Sequence, residues 1–468
     1  MILDQIVARS KVDLEIRQRE TPLSEVQALA RTRPAPRDAL AALRAENRVH
    51  VIAEVKRASP SRGLLAPNFD PVGLARTYAA NGASLISVLT EPHFFQGAPA
   101  YLPAIKAAVD LPVLCKDFIY DEYQVYEARS WGADLMLLIC AILDDTQLRY
   151  LLGIARSLGM HCLVEAHNEE EVQRAVAAGA MIIGVNSRDL KTFQMYPGLI
   201  RTLRPLIPAD RVLVAESGIH TQADARRLAR YDVQAMLVGE SLITSRDIAG
   251  QLRQLLQGAN ASTQIKICGL SEERSVQTAV EAGADLFGLV FYDPSHRYVP
   301  PQRARELVET LGEARTRIEV VGLFVNKEAA YINDVADQVG LDIVQLHGHE
   351  TPDFCQLIQR PVIKALHMAG PADAENIREY RSVVWRLLLD TPSPGWGGSG
   401  ETHDWQLARE IASQQPIILA GGLQPENVAQ AVAQVHPWGV DVSSGVETAK
   451  VKDEGKIHAF IEQVRQTE

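Results

Sequence analysis

Charged and polar side chains follow short apolar runs in the first half of the chain, at the point where each run ends. Lys116, for example, closes the run at residues 112–115. The other residues in this position are Glu54, Lys56, Glu165, Asn186, Arg188, Glu216 and Ser217. Any one of them alone is equally compatible with a surface residue or half of an internal ion pair. Together they suit proton transfer on an anionic substrate, because parallel strands deliver the side chains at their carboxyl ends to one face.

A thiol and a carboxyl group occupy the same kind of position in the second half. Cys268, His347 and Asp390 each end an apolar run, and Arg297 follows another. A cysteine on an apolar strand is most often simply buried, and His347 fits a structural role as well as a binding role. As an acid/base pair, a thiol and a carboxyl need pKa values moved from about 8.5 and 3.9. We therefore expect positive surroundings to draw Cys268 toward thiolate and the pKa of Asp390 to be raised.

Turns that contain glycine and serine follow the last two apolar runs of each half. They are Glu216-Ser-Gly218 and Val238-Gly-Glu-Ser241 in the first half, and Gly421-Gly422 and Ser443-Ser-Gly445 in the second. Backbone N–H groups in such turns can approach a phosphate, which is the usual anion site of a β/α barrel. A structural turn explains one such glycine equally well. The repeated pair predicts phosphate contacts at Ser217, Gly218, Gly239, Gly421, Gly422, Ser443 and Ser444.

Strand-like runs alternate with helix-length amphipathic stretches along the whole chain, which is typical of successive βα units. The runs before residue 258 are 49–56, 84–89, 112–118, 135–142, 161–166, 181–186, 212–217 and 235–239. Those after it are 265–268, 286–292, 320–326, 343–347, 362–366, 385–390, 416–421 and 439–443. Open doubly wound sheets are the alternative, but two sets of eight favour an α/β fold of two tandem (β/α)8 TIM barrels.

Composition divides the chain at residues 257–263, which are small and polar, and predicts domains at 1–258 and 263–468. Residues 1–47 precede the first strand and are broken by Arg-Pro-Ala-Pro at 33–36, so we expect helices that form a lid or plug. The glycine-rich residues 394–400 predict either a flexible lid or a plain linker loop.

Charge and cysteine content exclude several functional classes. The formal net charge of −11 argues against nucleic-acid binding. No apolar run approaches the roughly 18 residues of a membrane span. Five scattered cysteines without CxxC spacing argue against a disulfide framework or a metal site. We expect a cytoplasmic protein with no membrane or nucleic-acid partner.

The first half resembles indole-3-glycerol phosphate synthase over residues 1–258. The motifs are Glu54-Val-Lys-Arg-Ala-Ser-Pro-Ser61, Cys115-Lys-Asp-Phe118, Val164-Glu165, Asn186-Ser-Arg-Asp-Leu190 and Ala215-Glu-Ser-Gly218. The resemblance implies closure of the indole ring of an anthranilate-linked deoxyribulose phosphate, with loss of carbon dioxide and water.

The same resemblance implies a role for each residue. Lys116 would be the general acid at the substrate carbonyl, and Glu165 the acid/base of the later dehydration. Lys56 would be a second cation, oriented by Glu54. The substrate-binding residues would be Asn186 and Arg188 at the anthranilate portion, Phe118 beside Lys116, Glu216 at the reacting centre, and Ser59, Ser217, Gly218 and Gly239 at the phosphate. A lysine pKa of about 10.4 makes Lys116 a ready proton donor at neutral pH.

The second half resembles phosphoribosylanthranilate isomerase over residues 263–468. The motifs are Lys266-Ile-Cys-Gly-Leu270, Ser-x-Arg-Tyr-Val at 295–299, Gln345-Leu-His-Gly348, Leu388-Leu-Asp390 and Gly421-Gly-Leu423. The resemblance implies an Amadori rearrangement of N-(5-phosphoribosyl)anthranilate. Asp390 would be the general acid on the ring oxygen and Cys268 the general base, while Arg297 would bind the anthranilate carboxylate or ring.

Two residues depart from these family patterns. Glu240 stands where many synthases carry serine beside the phosphate glycine, so we expect its carboxylate to point away from the phosphate. His403 stands where isomerases often carry phenylalanine.

These observations predict a bifunctional enzyme of tryptophan biosynthesis in which the second barrel makes the substrate of the first. We expect a monomer that acts on small anthranilate-linked sugar phosphates without a metal or organic cofactor. One alternative is that a single barrel is active, or that both act on other sugar phosphates. Another is a pair of non-catalytic barrels that bind phosphate ligands.

Overall fold

A computed structural model describes residues 2–45, 48–189, 194–196, 198–260, 263–367, 374–381, 383–390 and 405–467. The chain divides into two compact units, Met1–Asn260 and Ala261–Glu468. The division falls inside the predicted linker at 257–263. The first four residues of that linker are helical, however, because the last helix of the first unit continues to Asn260. The Asn260 side chain forms two hydrogen bonds with the backbone of Val49, the residue that precedes the first strand. It accepts from the Val49 N–H (2.7 Å) and donates to the Val49 carbonyl (3.0 Å).

The first unit contains a closed barrel of eight parallel strands, paired in chain order with the first strand beside the last. The strands are β1 (His50–Val55), β2 (Leu85–Leu89), β3 (Val113–Lys116), β4 (Leu135–Ile139), β5 (His161–Ala166), β6 (Ile182–Asn186), β7 (Val212–Glu216) and β8 (Ala235–Val238). Ile52 of β1 pairs with Leu237 of β8 and closes the ring. Closure excludes an open sheet, and the predicted barrel is confirmed.

Helices follow the strands and cover the outside of this barrel. They are Pro71–Ala80, Tyr101–Ala108, Glu122–Ser130, Asp145–Ser157, Glu169–Ala177, Leu199–Leu203, Gln222–Ala229, Glu240–Ile243 and Ile248–Asn260, with 3₁₀ turns at Cys140–Ile142 and Arg204–Leu206 and a two-stranded ladder of Ala58–Ser59 with Gly63–Leu64. The helix Asp145–Ser157 shows why these segments fold. Asp144 and Gln147 form a capping box at its start, and Leu148, Leu151, Leu152 and Ala155 make one buried stripe.

Strand residues of the barrel alternate between two apolar layers. On β4, Leu135, Leu137 and Ile139 face the barrel interior, while Met136 and Leu138 pack against the helices. Both faces are therefore buried, which explains the continuous apolar runs in the sequence. The alternation also fixes which side chains enter the cavity, because every second residue faces inward.

Residues before β1 contact the barrel at both ends. Their helices are Ile2–Glu20, Leu23–Thr32 and Ala39–Ala42. Leu3 and Ile6 join the interior apolar cluster and line the cavity that contains Lys116. At the amino-terminal ends of the strands, the Arg37 guanidinium donates to the carbonyls of Val109 (2.8 Å) and Leu111 (2.7 Å). The segment thus lines the cavity at one end of the barrel and hydrogen-bonds to the barrel at the other end. Its expected role as a lid or plug stays a prediction.

The second unit is also a closed barrel of eight parallel strands. They are β9 (Gln264–Cys268), β10 (Leu286–Val290), β11 (Glu319–Phe324), β12 (Ile343–Leu346), β13 (Val362–His367), β14 (Arg386–Asp390), β15 (Ile417–Leu419) and β16 (Gly439–Val442). The α-helices are Glu273–Ala282, Pro301–Glu309, Ala329–Val339, Pro352–Cys355, Ala374–Tyr380, Trp405–Ala412, Val428–Val435 and Glu454–Arg465, with 3₁₀ turns at Gly312–Thr316 and Ser444–Val446 and a ladder of Glu447–Thr448 with Val451–Lys452. The second predicted barrel is confirmed as well.

The predicted lid at 394–400 and His403 lie outside the described residues. Within the described part of the chain, no helix is both long and apolar enough to span a membrane.

Candidate active sites

Strand alternation brings the polar groups of the first barrel together above its apolar interior. Leu114, Leu163 and Val214 face inward, so the residues two positions later, Lys116, Glu165 and Glu216, face inward as well. The predicted residues that line this one cavity of about 170 Å³ are Glu54, Lys56, Ser59, Lys116, Phe118, Glu165, Asn186, Arg188, Glu216, Ser217, Gly218 and Gly239. Every site residue predicted for the first half is therefore gathered at one face.

Lys116 lies among three buried carboxylates. Its Nζ is 2.9 Å from Oε2 of Glu216, 3.8 Å from Oε2 of Glu54 and 3.9 Å from Oε2 of Glu165. Burial opposes the charge of Lys116, but these three carboxylates outweigh burial and raise its pKa. Lys116 is therefore an ammonium ion at neutral pH and can donate a proton or neutralise a developing oxyanion.

Glu165 and Glu216 have pKa values shifted in opposite directions. Burial, together with the neighbouring Glu165 charge, raises the pKa of Glu216 despite its contact with Lys116. Burial also works against the charge of Glu165, but His167 and Lys116 overcome it and lower the pKa of Glu165. Two carboxyl groups whose pKa values are shifted in opposite directions, beside one ammonium ion, suit a reaction that both gives and takes protons.

Gly239 touches the pair formed by Glu54 and Lys56. Nζ of Lys56 lies 2.6 Å from Oε1 of Glu54, and burial is outweighed by Lys56 and Lys116, so that the pKa of Glu54 is lowered. A methyl group on Gly239 would lie 2.3 Å from Oε1 of Glu54. Glycine is needed here for this close packing, whether or not its N–H binds phosphate.

The turn after β7 has two successive residues in the left-handed region. Ser217 has φ 67° and Gly218 has φ 71°. A residue other than glycine would be strained at position 218, and its Cβ would lie 2.6 Å from Cε of Met195. Ser217, Gly218 and the buried Ser59 all line the cavity.

Glu240 lies at the rim of the same cavity. Its carboxylate contacts two arginines, Nη1 of Arg62 at 2.7 Å and Nη2 of Arg188 at 3.9 Å, whose positive charge holds it there. Its direction relative to the substrate phosphate stays a prediction.

Sequence reasoning missed two neighbours of the carboxylates. Gly184 on β6 leaves the space that Glu216 occupies, and His167 lies 3.2 Å from Glu165. A glycine inside the apolar run at 181–186 was the available signal for the first, since such a glycine often marks a close approach. No spacing rule pointed to His167.

The second barrel brings its predicted residues to one cavity in the same way. Its predicted lining residues are Cys268, Arg297, His347, Asp390, Gly421, Gly422, Ser443 and Ser444. Leu388 faces the interior of this barrel, so Asp390 does too. Cys268 and Asp390 therefore share the rim at the carboxyl ends of the strands.

Cys268 does not show the expected shift toward thiolate. The residue is 4% exposed, and burial raises the pKa of its thiol. Lys266, whose ammonium bonds Oδ1 of Asp441 at 2.9 Å, lowers the pKa of Cys268 but does not outweigh burial. The expectation was wrong, because burial outweighs Lys266 and Lys452, which lower the pKa, and Asp441 raises it further.

Arg297 is paired with a carboxylate of its own barrel. Its Nε and Nη2 donate to the two oxygens of Glu447 at 2.6 and 2.9 Å, and Lys452 donates to the same carboxylate at 2.8 Å. Burial opposes the charge, but Arg297 and Lys452 together lower the pKa of Glu447 to about 2. Sequence reasoning missed Glu447, which lies on a two-residue strand with no periodicity to read.

His347 and two glycines complete the surroundings of the second site. Nε2 of His347 is 3.3 Å from Oδ2 of Asp390, so the histidine lies beside the predicted acid. A methyl group on Gly288 would lie 3.0 Å from Sγ of Cys268, and one on Gly269 would lie 2.5 Å from Cδ of Arg297. Both glycines leave room for groups predicted to act.

Across the described residues, no group of three or more His, Cys, Asp or Glu side chains could hold a metal ion.

Each barrel matches one known family. The family model for indole-3-glycerol phosphate synthase matches residues 3–255, and that for N-(5'phosphoribosyl)anthranilate (PRA) isomerase matches residues 265–463. The chain belongs to these two families, one in each barrel. We refer below to the synthase barrel and the isomerase barrel.

Proteins with both parts resemble the chain along its length. A multifunctional tryptophan biosynthesis protein of Phycomyces blakesleeanus is 37% identical over 99% of this chain and 69% of its own length. The tryptophan biosynthesis protein TrpCF of Yersinia pestis is 36% identical over 99% of this chain and 94% of its own. A solved phosphoribosyl anthranilate isomerase of Thermotoga maritima is 41% identical over 44% of this chain and 99% of its own, with a TM-score of 0.41.

The chain is therefore a bifunctional enzyme of tryptophan biosynthesis. The isomerase barrel converts N-(5-phosphoribosyl)anthranilate to 1-(2-carboxyphenylamino)-1-deoxyribulose 5-phosphate. The synthase barrel closes the indole ring of that product, with loss of carbon dioxide and water, to give indole-3-glycerol phosphate. The alternative interpretations, non-catalytic barrels or enzymes that act on other sugar phosphates, are therefore rejected.

Proposed function

We propose that Lys116 is the general acid of the synthase barrel. The observation that carries this proposal is its position within 3.9 Å of Glu54, Glu165 and Glu216 in one cavity. Attack of the aromatic ring on the substrate carbonyl places negative charge on the carbonyl oxygen. An ammonium ion held by three carboxylates neutralises that charge and supplies the proton.

Glu165 serves the later dehydration, in which one proton leaves carbon and one reaches the departing oxygen. Its lowered pKa supports a carboxylate that accepts the first proton. Glu216 contacts the reacting centre, and its raised pKa supports a share of protonated carboxyl near neutral pH. Glu54 orients Lys56, which is the second cation.

The remaining cavity residues bind the two ends of the substrate. Asn186, Arg188 and Phe118 hold the anthranilate portion, with Arg188 at its carboxylate. Ser59, Ser217, Gly218 and Gly239 hold the phosphate. The left-handed turn at Ser217 and Gly218 supports this assignment, because successive backbone N–H groups in such a turn make a concave anion site.

In the isomerase barrel, Asp390 protonates the ribose ring oxygen and Cys268 removes the C2 proton. Their common rim supports this pairing. Arg297 binds the anthranilate, His347 lies beside Asp390 and assists binding, and Gly421, Gly422, Ser443 and Ser444 hold the phosphate. Arg297 exchanges its contact with Glu447 for the substrate carboxylate, or binds the ring while keeping it.

The experiment supplies phosphoribosylanthranilate and follows the two products separately. Lys116→Ala should abolish indole glycerol phosphate formation while the isomerised intermediate accumulates. Cys268→Ala should abolish isomerisation but leave turnover of added intermediate. Intact indole formation by Lys116→Ala, or intact isomerisation by Cys268→Ala, would refute the corresponding role. Loss of both activities in either variant would refute independent sites.

We also propose a domain boundary within residues 257–263, a monomer, and a cytoplasmic location. The five free cysteines, all buried, support a reducing compartment. The exposed large apolar side chains are spread over both units, which supports a chain without an extended subunit interface. Light scattering of the purified chain tests the monomer, and fractionation of cells tests the location.

A further inference from the structure

His167 lies between two carboxylates in the synthase barrel. It follows β5 by one residue and precedes the helix Glu169–Ala177, and its side chain is 13% exposed. Nε2 is 3.2 Å from Oε1 of Glu165, and Nδ1 is 3.1 Å from Oε2 of Glu171. The Nε2–H is not well aligned with its oxygen, so that contact is an ion pair rather than a good hydrogen bond. Each ring nitrogen thus faces a carboxylate oxygen.

This geometry favours the protonated ring. A neutral imidazole carries one N–H, so its other ring nitrogen would face a carboxylate oxygen with a lone pair, which is repulsive. The imidazolium carries two N–H groups. Burial disfavours its charge, but the neighbouring Glu165 and Glu171 outweigh burial and raise the pKa of His167 to about 10.

Glu171 is fixed by the start of its helix. Its Oε2 accepts the backbone N–H of His167 at 2.8 Å, and its Oε1 accepts from Nδ2 of Asn168 at 3.1 Å. Asn168 in turn caps the helix by accepting the Glu171 N–H at 2.9 Å. The outer carboxylate is therefore part of a rigid cap, and it fixes the ring of His167.

The two oxygens of Glu165 have different neighbours. Oε1 lies beside His167 and also accepts from Nδ2 of Asn186 at 3.3 Å. Oε2 is the oxygen nearest Lys116, at 3.9 Å. One oxygen is thus restrained by two groups of the protein while the other is directed at the proposed acid.

Other charged groups around His167 do not compete for it. Cys140 lies on the adjacent 3₁₀ turn, with Sγ 3.6 Å from the carbonyl oxygen of Glu171. Arg174, on the same helix as Glu171, donates to Asp145 at 2.6 Å and to the Cys140 carbonyl at 3.2 Å. Among the residues that the structure describes, the charges that face the ring are therefore the two carboxylates, with Lys116 beyond Glu165.

We propose that His167 is a positioning residue for the synthase reaction, in which its imidazolium holds Glu165 as an oriented carboxylate with one oxygen directed at Lys116. Glu165 then enters the reaction as a proton acceptor. This inference rests on the role proposed for Glu165. His167 itself is not among the residues that line the cavity, whereas Glu165 is.

The test compares His167→Gln with two other variants of the full chain. His167→Gln should lower kcat for indole glycerol phosphate formation by on the order of tenfold, with KM nearly unchanged, because it removes the contact that orients Glu165 toward the reacting atoms. Glu165→Gln should lose more. The matched control is His161→Gln, since His161 begins the same strand and pairs with Asp38 at 3.2 Å at the opposite end of the barrel. It should leave kcat unchanged.

Nitrogen NMR of the histidine rings gives a second measurement, the protonation state of His167, which a purely structural role would not require to be an imidazolium. One ring should remain an imidazolium at pH 8 in the unsubstituted chain, and its signal should be absent from His167→Gln. Isomerase activity of each variant reports on folding of the chain. If His167→Gln does not fold, the spectrum of the unsubstituted chain decides, and absence of any imidazolium at pH 8 overturns the inference.

The outcomes separate the two proposals. Full activity of Glu165→Gln would refute the role of Glu165 itself. A severe loss in Glu165→Gln together with an unchanged kcat in His167→Gln would refute only the inference about His167. A loss in both, with His161→Gln unaffected, supports it.

Discussion

Gly184 on β6 and Glu216 on β7 fit so closely that a methyl group on Gly184 would lie 2.1 Å from Oε1 of Glu216. The missing side chain makes a slot in the barrel wall, and Glu216 lies in it with 2% of its surface exposed. From this position Glu216 reaches Lys116 at 2.9 Å. The raised pKa of Glu216 follows from the same burial.

Gly184→Ala should therefore displace Glu216 and impair the synthase alone. Overpacking of this kind costs about 1–3 kcal/mol of stability. We expect a marked loss of synthase kcat, a lower inactivation temperature for the synthase, and an unchanged isomerase rate. Gly153→Ala is the control, because nothing lies within 4 Å of the added methyl group there. Normal synthase activity in Gly184→Ala would show that Glu216 does not need this slot.

Glu240→Ser should release Arg62 and Arg188 for an anionic substrate. Both arginines are partly neutralised by Glu240, and substrate binding must compete with that contact. We expect a KM for the synthase reaction lowered by a few fold, on the order of 1 kcal/mol or less for partly exposed pairs, with the difference shrinking at high salt. Glu170→Ser, at an exposed helix position, is the control. An increase in KM would instead show that Glu240 supports substrate binding.

Lys266→Met should impair the isomerase by leaving the Cys268 thiol harder to ionise. Lys266 lowers the pKa of Cys268 against the effect of burial, so its removal lets that pKa rise further. Each additional pKa unit reduces the thiolate fraction at neutral pH about tenfold, and the rise of kcat/KM with pH should move to higher pH. The measurement is the pH profile of isomerisation.

The buried partner of Lys266 requires a companion variant. Asp441 would be left unpaired in Lys266→Met, so the double variant Lys266→Met with Asp441→Asn separates stability from ionisation. It should recover stability and move the pH profile part of the way back, because Asp441 raises the pKa of Cys268 while Lys266 lowers it. An unshifted profile in both variants would contradict the influence of Lys266 on Cys268.

Glu447→Gln should remove the stabilisation of the isomerase barrel that the ionised Glu447 carboxylate provides and that is lost at low pH. The folded pKa of Glu447 is about 2, below its ordinary value of 4.5. Its contribution is therefore fully present above pH 4.5 and is lost as pH falls toward 2. The inactivation temperature of the isomerase should be lower in Glu447→Gln at pH 7, and the difference should narrow below pH 4.5. Glu454→Gln, in an exposed pair with Arg274, should change little at any pH. A difference that is independent of pH would rule out this electrostatic origin.

The alternation of strand residues explains how much of the site could be predicted. Once the apolar runs were known to be parallel strands, the inward direction of Lys116, Glu165 and Asp390 followed from a period of two. Barrel closure followed from the count of runs. The roles assigned by resemblance stay predictions until the variants are measured.

Contacts between distant segments could not be predicted from local patterns. Glu447 reaches Arg297 across 150 positions, and Glu240 reaches Arg62 across 178. The direction of the Cys268 pKa shift was wrong for a related reason. It depends on the balance between burial, Lys266 and Lys452, which lower the pKa, and Asp441, which raises it, and this balance cannot be read from the residues near Cys268 in the sequence.

The amide of Asn260 has a practical consequence for dissecting the chain. Cutting the gene after codon 258, as the composition suggests, would remove the side chain that fastens the end of the first barrel to Val49. A fragment that ends after residue 260 would keep both hydrogen bonds. A fragment that ends at residue 258 therefore lacks the contact with Val49, and a fragment two residues longer keeps it.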